Sequence, residues 1–128
     1  MAVVDITSEN FEELVLQNAK PVVLDFWAIW CGPCSMMSPV VDAASEQHPE
    51  LVFGKVDTDA QPELAAQFGI TAIPTLVIMK GGTIVASTQG YRDSAAFEQF
   101  LAQAAEQGFV GVRGASGPGE SGRPRNTR

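Results

Sequence analysis

Along this chain the apolar residues switch between short continuous runs and helical spacing, and the two patterns take turns. Ala2 to Asp5 reads as a short strand; Thr7 or Ser8 then caps a helix whose apolar stripe is Phe11, Leu14 and Val15, ending near Asn18. Pro21 opens a strand over 22–27 so continuously apolar that both its faces must be covered. Met36, Met37, Val40, Val41 and Ala44 predict a helix over 34–47 in which the two methionines pack, with a kink at Pro39. A strand follows over 51–57, then a helix over 61–68 closed by Gly69. Ile70 to Pro74 is a connector, and strands over 75–80 and 83–88 flank the hairpin turn Gly81-Gly82. Asp93 or Ser94 caps a last helix that turns Phe97, Phe100, Leu101 and Ala104 inward.

The predicted order is β α β α β α β β α. Strands alternating with helices pair in parallel and the closing hairpin adds an antiparallel edge, so the pattern predicts an α/β fold: a central mixed five-stranded sheet flanked by four helices. From Gly108 the periodicity stops, and residues 111–128 hold five Gly and two Pro. The expected organisation is one domain over 1–107 and a disordered Gly- and Arg-rich tail over 108–128.

Charge changes at the same boundary. Residues 1–107 carry four Lys and Arg against 14 Asp and Glu, a formal −10, whereas 108–128 carry four Arg against one Glu, a formal +3. An acidic body excludes nucleic acid as the main partner, since phosphate binding needs a basic face. No run is long and apolar enough for a membrane span, and the acidic first twenty residues do not read as a secretory signal. The expected compartment is the cytoplasm, and the expected state a monomer.

The candidate chemistry is carried by Cys31-Gly32-Pro33-Cys34, which holds both cysteines of the chain. A zinc site needs four ligands, and His48 is the one histidine available beside them; it reads as a surface residue at a helix end. A structural disulfide across so short a loop removes little chain entropy, and a reducing compartment disfavours it. Reactivity is the better account. Cys31 follows a strand and starts a helix, where free N–H groups and the helix dipole favour a thiolate. Cys34 lies one turn further on, and Pro33 suits the first turn because its missing N–H would have no partner there.

The run Phe26-Trp27-Ala28-Ile29-Trp30-Cys31-Gly32-Pro33-Cys34, with Asp25 before it and Ile73-Pro74-Thr75 some forty residues later, closely resembles the thioredoxin family over roughly residues 3–106. The resemblance implies the thioredoxin fold and a protein-disulfide reductase. In it Cys31 is the attacking, more exposed thiol and Cys34 the resolving one. Asp25 takes the proton from Cys34, with Lys55 modulating it, and Pro74 follows a cis peptide bond beside the disulfide. Trp30, Gly32, Pro33, Ala72, Ile73, Pro74 and Gly90 then form the substrate-facing patch. The implied partners are disulfide-containing proteins and a thioredoxin reductase, with no bound cofactor and no metal. Ile29 and Ser35 stand where relatives commonly carry polar or basic residues, and the missing cation should slightly weaken the Cys31 thiolate. An oxidant or isomerase on the same fold, and a binding module with incidental cysteines, are the rival functions; the Gly-Pro pair favours reduction.

Overall fold

The structure is a computed structural model that describes residues 2–106, so the expected disordered tail over 108–128 lies outside the described residues. Five strands and three α-helices follow the predicted order: β1 (Val3–Asp5), β2 (Val22–Trp27), α1 (Gly32–Gln47), β3 (Val52–Asp57), α2 (Pro62–Gln67), β4 (Thr75–Lys80), β5 (Thr83–Gln89) and α3 (Ser94–Ala104). Between β1 and β2 the segment Glu12–Leu16 is helical as expected but wound as a π-helix, with Gln17 N–H donating to Glu12 O at 2.9 Å. The expected cap works one turn earlier, where Thr7 Oγ1 accepts from Glu9 N–H and Asn10 N–H. Pro39 lies inside α1 without ending it.

The sheet order is β1-β3-β2-β4-β5. β1 and β2 pair with β3 in parallel, while β4 runs antiparallel to both β2 and β5. A helix between β3 and β4 predicted a parallel partner, and length explains the difference. Six residues of α2 span ~9 Å, too short to carry the chain back along a strand of ~20 Å. β4 therefore starts at the end of the sheet where β3 finishes, opposite Phe26, and that end carries the cysteines. Gly81 and Gly82, both at positive φ, make the tight turn of the last hairpin.

Period-two alternation sends successive residues of each strand to opposite faces. On one face Val23, Phe53, Leu76 and Ile78 pack under α1 and α3 against Met37, Val41, Phe97 and Leu101. On the other, Val22, Leu24, Phe26, Val56, Val77 and Met79 pack against Ile6, Val15 and Leu64. Met36, expected to pack like Met37, is instead 56% exposed, because it lies off the stripe that α1 turns to the sheet. Asp93 caps α3 by accepting from Ala96 N–H at 2.9 Å. His48, the C-cap of α1, is half-buried rather than a plain surface residue: its ring nitrogens lie 3.0 Å from Glu50 Oε2 and 2.8 Å from Glu98 Oε1, linking α1 to α3. No helix among the described residues is long and apolar enough to cross a membrane.

Candidate active site

The site forms where β2 gives way to α1. Cys31 is the N-cap of α1 in extended conformation, and Cys34 N–H donates to its Sγ at 3.2 Å, so one unpaired amide of the first turn already points at this sulfur. Cys31 and Cys34 are joined as a disulfide, with their Cα atoms 5.2 Å apart. Both are buried, at 6% and 3% exposure, so the expected contrast between an exposed and a buried thiol is small in the oxidised state. Ala28 packs with the pair, and Trp27 and Ile73 close over it. Gly32 and Pro33 are exposed, and Ser35 Oγ donates back to Gly32 O at 2.7 Å.

The connector before β4 brings up the opposite wall. The Ile73-Pro74 peptide bond is cis, Cys31 Sγ lies 3.8 Å from Ile73 O, and Gly90 N–H donates to Pro74 O at 2.8 Å. Pro74 is buried and Ala72 is exposed, with Ala72 O accepting from Thr75 Oγ1. Trp30 is 69% exposed, and its indole N–H donates to Asp59 Oδ2 at 2.9 Å, which ties an exposed ring to the loop after β3. Asp59 therefore has a specific partner in the indole rather than solvent alone.

Behind the disulfide lies a cavity of about 370 Å³, lined by Asp25, Trp27, Cys31, Cys34, Asp42 and Lys55 among others. Asp25 and Lys55 are register partners on β2 and β3, so both side chains leave the sheet on the face that α1 covers. Asp25 is 4% exposed, and its Oδ1 has no hydrogen-bond partner among the described residues. Burial pushes its carboxyl up, the Lys55 ammonium pulls it down and the Asp42 carboxylate pushes it up, leaving it at about 7. Lys55 Nζ also sits 5.6 Å from the centre of the Trp27 ring. Two cavity residues had no role in the sequence reading, Ser38 and Asp42. The available signal was their spacing of four and eight residues from Cys34, which puts all three on one face of α1.

A profile of the thioredoxin family matches residues 2–103. The chain belongs to the thioredoxin family. Similar proteins include "Putative thioredoxin 2" of Streptomyces coelicolor, 47% identical over 110 residues that cover 86% of this chain and 81% of that protein. "Thioredoxin" of Alicyclobacillus acidocaldarius is 44% identical over 102 residues, covering 79% of this chain and 96% of that one. "Bifunctional thioredoxin reductase/thioredoxin" of Mycobacterium leprae is 43% identical over 94 residues, 73% of this chain and 20% of that protein. Thioredoxins are protein-disulfide oxidoreductases, and the redox pair of this one, Cys31 and Cys34, carries out dithiol/disulfide exchange on disulfide substrates. Among the described residues, no group of His, Cys, Asp and Glu is arranged to hold a metal ion.

Proposed function

We propose that this thioredoxin reduces protein disulfides, with Cys31 attacking and Cys34 resolving. The observation that carries the proposal is the pairing of a sulfur capped by a helix-start amide with an unpartnered, buried carboxylate in the cavity beneath it. The Cys31 thiolate attacks one sulfur of the substrate disulfide, forming a mixed disulfide and releasing the other substrate sulfur as a thiolate. Cys34 loses its proton to Asp25 and attacks Cys31 Sγ. The Cys31–Cys34 bond forms, the bond to substrate breaks, and two electrons have passed to the substrate pair. A carboxyl near 7 is suited to take that proton and return it to solvent at neutral pH. Lys55 keeps Asp25 from being too weak an acid to release it.

Trp30, Gly32, Pro33, Ala72, Ile73, Pro74 and Gly90 are proposed as the surface that receives the substrate. The oxidised pair is then reduced by a thioredoxin reductase in the cytoplasm, with no cofactor bound to this chain. In favour of that partner, the M. leprae relative carries both names on one chain. The domain is proposed to end near residue 107.

Insulin reduction driven by dithiothreitol tests the proposal. The wild type should accelerate insulin precipitation and Cys31→Ser should not; no acceleration by the wild type, or full activity in Cys31→Ser, would defeat it.

A further inference from the structure

The cavity beside the disulfide is lined by three charged side chains, and the proposed exchange uses two of them, Asp25 from β2 and Lys55 from β3. The third is Asp42, from α1. Cys34, Ser38 and Asp42 recur every four residues on that helix, so they follow one face with a drift of only ~40° per step. Along that face Cys34 is buried, Ser38 exposed and Asp42 half-buried, so the face carries the resolving sulfur at a buried position and the second carboxylate at a partly exposed one. Asp42 also lies in the middle of α1, too far from its N-terminus for the helix dipole to account for a carboxylate there.

Such a neighbour bears on Asp25. Burial already raises its carboxyl, the Lys55 ammonium pulls it back toward the charged form, and a stronger acid is a poorer acceptor for a thiol proton. A second carboxylate on the same cavity opposes Lys55. The charged residues that line the cavity with Asp25 are Lys55 from β3 and Asp42 from α1; the disulfide, Trp27, Ser35 and Ser38 line it too. The direction of the Asp42 influence on Asp25, upward, agrees with this geometry.

We propose that Asp42 is a positioning residue that acts through Asp25: from α1 it counters Lys55 across the cavity, so that Asp25 holds the proton taken from Cys34 until solvent removes it. The proposal rests on Asp25 being the proton acceptor.

The test uses the full oxidised chain and follows the Asp25 carboxyl carbon by NMR as a function of pH, with the resonance assigned by its loss in Asp25→Asn. Asp42→Asn should lower the Asp25 midpoint by on the order of half a pH unit, and Lys55→Met should raise it. Asp42→Glu, which keeps the charge, should return the midpoint toward wild type. In the reduced chain mixed with 5,5′-dithiobis(2-nitrobenzoic acid), the second thiolate released reports resolution by Cys34, and its pH midpoint should fall in Asp42→Asn. An unchanged Asp25 midpoint in Asp42→Asn, or Asp42→Glu behaving like Asp42→Asn, overturns the proposal. Failure of the underlying assignment looks different: Asp25→Asn would then release the second thiolate at the wild-type rate, whatever the Asp42 variants do to the titration.

Discussion

Replacing Asp25 by Asn should make the protein more stable, by an amount that grows with pH. In the unfolded chain this carboxyl ionises near its ordinary value of 3.8, but in the fold burial holds it at about 7. Between those values the unfolded state gains by releasing a proton that the folded state must keep. A raised carboxyl therefore costs stability that is absent well below pH 3.8, builds up from there to about 7, and is constant above. At about 1.36 kcal/mol per pH unit the full gap amounts to on the order of 4 kcal/mol, while at pH 4 it is only ~0.5 kcal/mol. Asn keeps the shape and carries no charge at any pH, so the variant escapes this cost. The assay is urea unfolding of the oxidised wild type and Asp25→Asn at several pH values from 4 to 8, the disulfide being kept intact so that no thiol titrates. The stability difference should be small at pH 4 and reach a few kcal/mol in favour of the variant at pH 8. A difference that is flat across this range, or a variant less stable than wild type at pH 8, would refute the idea that Asp25 is held uncharged by burial.

Other outcomes follow from the same structure. Both ring nitrogens of His48 face carboxylates, which suits the doubly protonated ring; burial pulls its pKa down, but the hydrogen bonds and charges of Glu50 and Glu98 outweigh this and raise it. A raised histidine stabilises fully below ~6.5 and loses this as pH rises through the folded value, so His48→Gln should cost ~0.5–1 kcal/mol at pH 5.5 and little at pH 9, as read by thermal unfolding. Gly54→Ala would put a Cβ 2.6 Å from Ile6 Cγ1, and Ile6 is buried with no room to retreat, so the variant should lose ~1–3 kcal/mol in urea unfolding. Removing residues 108–128 should leave both the melting temperature and insulin reduction unchanged; a loss of either would give that segment a role in the domain.

Much of this architecture was legible in the apolar rhythm. The run Val22–Trp27 reads as a strand covered on both faces, and it is the middle strand of the sheet, with apolar layers on either side. The direction of β4 was not legible, because it depends on α2 being too short to carry the chain back, a matter of distance rather than of residue type. Nor did the stripe Phe11, Leu14, Val15 distinguish an α-turn from the wider π-turn, since both bring the same residues inward. At the site, Cys31, Cys34 and Pro74 stood out because their residue types are rare and their spacing is meaningful. Asp42 and Asp59 did not, because a lone carboxylate on a helix or a loop resembles any solvated one. Their neighbours, Asp25 and the Trp30 indole, are distant in sequence and meet them only in the folded chain.

The division of labour between the two sulfurs is open to direct observation by trapping the mixed disulfide. Reduced Cys34→Ser, mixed with a disulfide-bonded protein such as insulin, has an attacking thiol and no resolving one. It should accumulate a covalent adduct that maps to Cys31 and is released by dithiothreitol, while Cys31→Ser accumulates none. An adduct on Cys34 in Cys31→Ser, or no adduct at Cys31 in Cys34→Ser, would contradict the account.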